Sequence, residues 1–180
     1  HMVFSKFWCR TMVFKTSHNK VGNAAEYYFG PMQPDELNLL MIICNHCPYV
    51  LYRMPAISQL VKDYKGKINS VAVNSNIATE NHPEDAEELM PAFSEKYDLQ
   101  CPYVYDQDHV IAKSYGAVCT PEFYLINKGT VIYHGELDPA HTSNDLSSTG
   151  SSLRLAIDYT LAGREIDWKY NDSFGCSIKW

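Results

Sequence analysis

The stretch Cys44-Asn45-His46-Cys47-Pro48 decides the fold, because of what lies on either side of it. Residues 37–43 before it form a near-continuous apolar run, which is typical of a strand buried on both faces. After it, apolar residues recur at spacings of 4, 3, 4 and 3, the pattern of one buried helix face: Val50, Met54, Ile57, Val61 and Tyr64. The sequence therefore predicts a buried strand that leads through a pair of cysteines into a helix.

The rest of the chain alternates between strand and helix patterns. The predicted elements are a strand at 68–73, a helix opened by His82-Pro83-Glu84-Asp85, a strand at 103–105, a helix at 110–115, a hairpin of strands 123–126 and 131–134, and a last helix at 152–161. With the first strand and helix, the order is β-α-β-α-β-α-β-β-α. It predicts an α/β fold with a central mixed sheet flanked by helices.

The composition limits the class of protein. A chain of 180 residues with 46% hydrophobic residues is long enough for one domain, which we expect to span residues 1–180, with 1–35 as an N-terminal segment of undefined structure. The net charge of −6 comes without a basic block, which argues against nucleic acid as a partner. No apolar stretch approaches the ~20 residues of a membrane-spanning helix, so we expect no membrane insertion. We also expect a monomer.

The N-terminus and the cysteines bear on the compartment. His1-Met2 looks like a tag remnant, and with Met2 as the native start we expect a cytoplasmic protein. A signal peptide removed ahead of it would instead indicate the periplasm. The six cysteines are too sparse for a disulfide-dense secreted scaffold: Cys9, Cys44, Cys47, Cys101, Cys119 and Cys176. We interpret Cys9 and Cys101 as packing or surface thiols.

A pair of cysteines between a strand and a helix has a direct chemical rationale. The N–H groups and the positive dipole end of a helix N-terminus stabilise a thiolate and lower the pKa of a cysteine from ~8.5 into the range ~3.5–7.5. We expect Cys44, at the mouth of the helix, to attack a partner disulfide, and Cys47, one turn in, to resolve the mixed disulfide. A cationic His46 beside the thiolate makes the pair more oxidising. No cofactor is expected beyond the redox-active Cys44–Cys47 disulfide.

A zinc site is the main alternative use of a Cys-x-x-Cys motif. Such a site needs a second pair of ligands, and the cysteines at 101, 119 and 176 stand far apart in the sequence. The chain contains no second Cys-x-x-Cys and no His-x₃-His. We therefore expect no metal and favour redox chemistry.

Three motifs in the right order resemble a bacterial group of thioredoxin-like proteins. They are Cys44-Asn45-His46-Cys47-Pro48-Tyr49-Val50, Ala117-Val118-Cys119-Thr120-Pro121-Glu122-Phe123 and Gly175-Cys176-Ser177-Ile178-Lys179-Trp180. The group is of the redoxin or AhpC/TSA type, close to the TlpA-like reductases, and the likeness covers residues 37–180. It implies a thioredoxin-like fold with one extra βα unit before the hairpin, and a role in redox homeostasis as an antioxidant protein.

The resemblance also implies a cis peptide bond between Thr120 and Pro121 that faces the cysteines. In the family this loop lines the substrate groove and pairs with an incoming chain as a β-strand does, so we expect Thr120, Pro121 and Pro48 to bind substrate. Cys119 is expected near the redox pair, as a small buried residue or as a third redox thiol. Cys176 belongs to the C-terminal motif and has no assigned role.

Two departures from the thioredoxin pattern concern proton transfer. Thioredoxins commonly carry a Trp before the first Cys and a buried Asp six residues upstream, and these positions hold Ile43 and Asn38. Glu36 shares the strand face of Asn38 and is a candidate for the missing carboxylate, although a solvated charge at the strand end is the simpler interpretation. We interpret Glu84, Asp85, Glu87 and Glu88 as an acidic helix start that complements the helix dipole and not as paired catalytic carboxylates.

The function favoured by the motifs is dithiol exchange with protein thiols and disulfides, as a reductase or isomerase served by an upstream electron donor or acceptor. A thiol-dependent peroxidase is the alternative. Peroxiredoxins carry Pro-x-x-x-Thr-x-x-Cys, and counting back from Cys47 these Thr and Pro positions hold Cys44 and Leu40, which argues against efficient peroxide reduction. A third hypothesis is a non-catalytic binding or metal-storage domain.

Overall fold

The computed structural model describes residues 13–15, 27–29, 32, 33, 35–168 and 170–180. The strands are β1 (Val13–Lys15), β2 (Tyr27–Phe29), β3 (Leu37–Ile42), β4 (Asn69–Asn74), β5 (Tyr103–Tyr105), β6 (Cys119–Thr120), β7 (Glu122–Asn127), β8 (Thr130–Gly135), β9 (Tyr170–Asn171) and β10 (Cys176–Ser177). The α-helices are α1 (Pro48–Asp63), α2 (Met90–Lys96), α3 (Val110–Tyr115) and α4 (Ser151–Leu161). Within these ranges, none of the helices has the length and apolar content that crossing a bilayer requires. Cys9 lies outside the described residues, as does most of the predicted N-terminal segment.

β3 is an inner strand of the sheet that carries the cysteines. The sheet has six strands in the order β5-β4-β3-β7-β8-β9. β3 pairs in parallel with β4 and antiparallel with β7, and all of its residues are buried. A mixed sheet flanked by helices in this order is the thioredoxin-like arrangement, which confirms the predicted fold class. β5 and α3 form the predicted extra βα unit before the hairpin of β7 and β8.

Two hydrophobic cores cover the two faces of the sheet. Alternate residues of a strand point to opposite faces, so Leu39 and Met41 enter one core while Leu40 and Ile42 enter the other. The first core contains the apolar face of α1 that the sequence predicts: Val50, Met54, Ile57, Val61 and Tyr64. Burial of each large aliphatic side chain stabilises the fold by ~1.5–3 kcal/mol. The buried face therefore fixes the start of α1 relative to the end of β3.

The loop that leads into β7 contains a cis peptide bond between Thr120 and Pro121, as the resemblance implies. Both residues are buried. β6, which ends at Thr120, pairs antiparallel with β10 in a separate two-stranded sheet. The C-terminal motif therefore lies against the cis-proline loop.

The predicted helix that opens at His82 begins later than expected. Two short 3₁₀ turns, Pro83–Asp85 and Glu87–Leu89, come first, and α2 starts at Met90. The Asp85 side chain is fully buried and bonds to the residues that follow β3, so it does not serve a helix start. The interpretation of Asp85 as a dipole-complementing charge is therefore wrong.

Candidate active site

Cys47 is the N-cap residue of α1, and Pro48 takes the first position of the helix. The carbonyl oxygen of Cys47 accepts hydrogen bonds from the N–H groups of Val50 and Leu51, both at 2.9 Å. Proline suits the first position because its missing N–H has no helical partner to lose. The predicted placement, with Cys44 at the mouth of the helix and Cys47 one turn in, is wrong. Cys47 is at the mouth, and Cys44 lies three residues before it.

Thr120 brings the two cysteines and the cis-proline loop together. Its Oγ1 is hydrogen-bonded to Cys44 Sγ at 3.3 Å, and its carbonyl oxygen lies 3.4 Å from Cys47 Sγ. Both cysteine side chains are 0% exposed to solvent. The strand end, the helix start and the loop therefore enclose the two sulfurs, and Pro121 follows directly in the sequence. Pro48 is exposed beside them.

A third thiol reaches the same place from the C-terminal segment, which we define as residues 174–180. The Sγ atoms of Cys176 and Cys47 lie 2.8 Å apart. In the β6–β10 pairing Cys176 is opposite Thr120, the residue that contacts both other cysteines. The site is therefore a cluster of three sulfurs, two from the Cys-x-x-Cys motif and one from the C-terminal motif.

The electrostatics of the cluster favour a thiolate at Cys47. The nearby sulfurs of Cys44 and Cys176 and the Val50 N–H lower the pKa of Cys47 well below its ordinary value, although burial opposes the shift. The nearby sulfur of Cys47, burial and the negative charge of Asp85 raise the pKa of Cys44. Burial and the bond to Cys47 raise the pKa of Cys176 to about 12. One thiolate flanked by two thiols is the arrangement that these shifts describe.

Replacing Cys44 by alanine is expected to raise the pKa of Cys47, because it removes the largest contribution to the lowered value. Loss of one hydrogen bond to a thiolate corresponds to a shift of about one pKa unit or more. The thiolate absorbance at 240 nm, followed against pH, measures the midpoint. Cys101→Ala is the matched control and should leave it unchanged.

The same shift has a consequence for stability. The pKa of Cys47 is lower in the folded chain than in the unfolded chain. The contribution of this group to the free energy of unfolding is thus full above ~pH 8.5, and it is lost as the pH falls toward the folded-state pKa.

For the Cys44→Ala variant, an unchanged titration midpoint of Cys47 would contradict the expected contribution of Cys44 to the lowered pKa.

Asp85 is the buried carboxylate of the site. Its Oδ1 accepts a hydrogen bond from the Asn45 N–H at 2.7 Å, and its Oδ2 accepts one from the Asn76 side chain at 2.8 Å. Oδ2 also pairs with Nδ1 of His46, whose ring stacks on that of His82 with centroids 3.9 Å apart. These contacts fix the two residues between the cysteines and place a negative charge beside them.

The same residues offer donor atoms of the kind that metals bind. One atom each from Cys44, His46 and Asp85 lies within 4.8 Å of the others. Zinc takes four ligands in structural sites, and His46 and Asp85 are already bonded to each other. The described arrangement therefore suits proton transfer better than a metal, and the expected absence of a metal stays a prediction.

The other thiols lie in different surroundings. Cys119 Sγ is 4.0 Å from Oε2 of Glu122, and burial together with that carboxylate raises the pKa of Cys119 to about 12. The sulfur that lies against Cys47 belongs to Cys176, not to Cys119. Cys101 lines a groove of about 630 Å³ together with Glu36. That groove is at the opposite end of the sheet, because both residues precede strands whose far ends point to the cysteines.

Glu36 is exposed, which agrees with its interpretation as a solvated charge at the strand end. It precedes β3, whereas the cysteines follow the other end of that strand, so it is too far away to serve them. Asp85 supplies the carboxylate instead, and sequence reasoning missed its role because it comes from a distant turn. A second missed residue is Arg53 of α1, which is 1% exposed and donates to the carbonyl oxygens of Ala140 (2.6 Å) and Phe174 (3.4 Å). The sequence did contain a signal for Arg53, because the helical spacing places this charged residue on the apolar face of α1.

Comparison with known proteins identifies the family of the chain. A family model described as the AhpC/TSA family matches residues 32–134, more than half of the chain. The thioredoxin-like protein YneN of Bacillus subtilis (strain 168) is 32% identical over 96 residues, which cover 53% of this chain and 51% of that protein. The chain thus spans about half the length of this curated relative.

Two solved structures match over more of their length. An uncharacterized conserved protein from Geobacillus kaustophilus is 41% identical with a TM-score of 0.77, over 81% of this chain and 78% of that one. A hypothetical protein from Sinorhizobium meliloti 1021 is 32% identical with a TM-score of 0.80, over 95% of this chain and 91% of that one. With its fold, its clustered thiols and these matches, the chain belongs to the AhpC/TSA family.

Proposed function

We propose that the protein is a thiol–disulfide oxidoreductase that exchanges its Cys44–Cys47 dithiol with protein partners, as a reductase or isomerase. The observation that carries the proposal is the position of Cys47 at the N-terminus of α1, with its Sγ 2.8 Å from that of Cys176 and with both Cys47 and Cys44 in contact with Thr120. A helix N-terminus and thiol donors both stabilise a thiolate, which is the reactive form in disulfide exchange. An outside dithiol serves as electron donor, and no cofactor takes part.

In the reductive direction the Cys47 thiolate attacks one sulfur of a partner disulfide and displaces the other as a thiolate. The sulfur of Cys44 then attacks Cys47 and displaces the partner's second thiolate, which leaves a Cys44–Cys47 disulfide. Two electrons pass to the partner, and one proton leaves Cys44. We assign these roles in the reverse of the order expected from the sequence, because Cys47 occupies the N-cap of α1.

Asp85 is the proposed acceptor of the Cys44 proton. Its carboxylate lies within 4.8 Å of the Cys44 sulfur, and the raised pKa of Cys44 makes an acceptor necessary at neutral pH. We expect Asp85→Asn, which keeps the shape of the side chain, to slow resolution of the mixed disulfide about tenfold to a hundredfold at pH 7. The loss should shrink as the pH rises, since hydroxide can replace the base. Quenched-flow trapping of the mixed disulfide measures the step, and an equal loss at all pH values would contradict this role.

Reduction of insulin disulfides in the presence of dithiothreitol tests the proposed function. We expect the wild-type protein to accelerate precipitation of the insulin B chain and to equilibrate with glutathione through a Cys44–Cys47 disulfide. A potential near that of thioredoxin would indicate a reductase, and one near those of the disulfide isomerases would indicate an isomerase. Failure to accelerate insulin reduction would contradict the proposal.

The peroxidase alternative has a separate readout. Cys44 stands three residues before Cys47, where peroxiredoxins have the threonine of their motif. We therefore expect hydrogen peroxide consumption, coupled to the same reductant, to be slow relative to insulin reduction. Rapid peroxide turnover with no insulin reduction would replace the present proposal by the peroxidase one.

A further inference from the structure

Access to the three sulfurs is unequal. Cys44 and Cys47 are both 0% exposed, whereas Cys176 is partly exposed. A partner disulfide therefore meets Cys176 before it can meet Cys47. Cys47, the cysteine with the lowered pKa, is thus closed to solvent.

The C-terminal segment is held over Cys47 by several independent contacts. Arg53 donates to the Phe174 carbonyl oxygen, and the Ile178 N–H donates to Val118 at 3.1 Å. The Ile178 side chain is 4% exposed and enters the second core. The Lys179 N–H donates to Asn76 Oδ1 at 2.9 Å, and the Asn76 side chain in turn donates to Asp85. These hydrogen bonds and the burial of Ile178 thus fix the position of Cys176.

The pairing of the segment also decides what the cis-proline loop can bind. The resemblance implies that this loop offers its backbone to an incoming chain, and in this structure β6 already pairs with β10. The chain's own Cys176 stands opposite Thr120, with its sulfur against Cys47. The segment therefore occupies the place that the resemblance implies for a substrate strand, and it supplies a cysteine beside Cys47 there.

We propose that Cys176 is a third redox thiol, which receives the oxidation from a partner disulfide and passes it to Cys47 through a Cys47–Cys176 disulfide. This inference rests on the proposed function and names the residue through which partners reach the buried pair. The distance between the two sulfurs is 2.8 Å, so a small movement brings them to the ~2.0 Å of an S–S bond.

The steps balance in atoms and electrons. The Cys176 sulfur attacks the partner disulfide and displaces one partner thiolate, and in the same step the Cys176 proton passes by way of the adjacent Cys47 sulfur to that leaving thiolate. The Cys47 thiolate then attacks the Cys176 sulfur and displaces the second partner thiolate. Finally the Cys44 sulfur attacks Cys47, which releases Cys176 as a thiolate that recovers the Cys44 proton. The partner gains two electrons, and the Cys44–Cys47 pair loses them.

Trapping of the intermediate tests the relay directly. Trypsin places Cys47, Cys176 and Cys101 in separate peptides, because lysines or arginines lie between them. We expect Cys44→Ser, which cannot complete the last step, to accumulate a Cys47–Cys176 disulfide when oxidised glutathione is added. Alkylation of free thiols, digestion and mass spectrometry without reductant identify the linked peptides. Their absence, with Cys47 found only as a glutathione mixed disulfide, would overturn the relay.

Kinetics supply the second arm. We expect Cys176→Ser to reduce insulin at least about tenfold more slowly than wild type, with an unchanged thermal unfolding midpoint, while Cys101→Ser matches wild type. Insulin reduction at the wild-type rate in both Cys176→Ser and Cys176→Ala would overturn the relay and leave the proposed function intact. Undiminished activity in Cys47→Ser would instead remove the proposed function itself, so the two failures are distinguishable.

Discussion

Replacing Cys47 by serine is expected to stop disulfide exchange. The hydroxyl of serine does not ionise near neutral pH, so the N-terminus of α1 and the neighbouring thiols have no nucleophile left to activate. We expect the rate of insulin reduction to fall at least about a hundredfold, to the background given by dithiothreitol alone. The fold should persist, because serine has nearly the shape of cysteine and can still cap the helix.

Two further variants separate the role of Cys47 from that of the motif as a whole. Cys44→Ser keeps the Cys47 nucleophile, so it should still react with a disulfide substrate and stop at the Cys47–Cys176 disulfide, with slow turnover. Cys101→Ser changes a thiol at the other end of the sheet and should behave as wild type. If Cys44→Ser no longer reacted with the substrate while Cys47→Ser formed a covalent adduct with it, the result would support the roles expected from the sequence, with Cys44 as the attacking residue.

Replacing Gly175 by alanine is expected to detach the C-terminal segment from the cis-proline loop. A methyl group on Gly175 would lie 1.9 Å from the Thr120 carbonyl oxygen and 2.6 Å from its carbon, which are backbone atoms that cannot move aside locally. The β6–β10 pairing and the burial of Ile178 would then be lost together, at a cost of about 1.5–3 kcal/mol in the free energy of unfolding. Cys47 would become accessible to solvent.

Alkylation kinetics measure this exposure. In the reduced protein we expect iodoacetamide to modify Cys47 at least about tenfold faster in Gly175→Ala than in wild type, because the thiolate is present in both but shielded only in wild type. Gly66→Ala is the matched control, since a methyl group there meets no atom within 4 Å and costs only the strain of a left-handed backbone. Equal alkylation rates in all three proteins would mean that the segment does not shield Cys47.

The sequence predicted the fold because its local signals agree with one another. The continuous apolar run of β3, the helical spacing along α1 and the turn between β7 and β8 are each typical of the element that they form. The predicted placement of Cys44 at the mouth of the helix was wrong, although Pro48 contained the signal. A proline at the first helical position leaves the residue before it as the N-cap, and that residue is Cys47.

The rest of the site depends on contacts that no local pattern encodes. Asp85 comes from a turn far from the cysteines in sequence, and its acidic neighbours are exposed, so nothing in the chain marks it as the buried member of the group. Cys176 belongs to a motif that the resemblance singled out, but its contact with Cys47 requires the register of β10 against β6. Such long-range registers follow from the packed fold and not from the residues in sequence order.

The pairing of β10 with β6 also sets how the site competes with small thiols. A thiol fixed 2.8 Å from Cys47 by its own backbone has an effective concentration far above the ~millimolar value that a short flexible tether gives. A glutathione molecule joined to Cys47 therefore faces an internal rival that returns to the same sulfur without diffusion. Protein partners exchange through Cys176 into the Cys44–Cys47 pair, whereas a small thiol joined to Cys47 is displaced by Cys176 soon after it reacts.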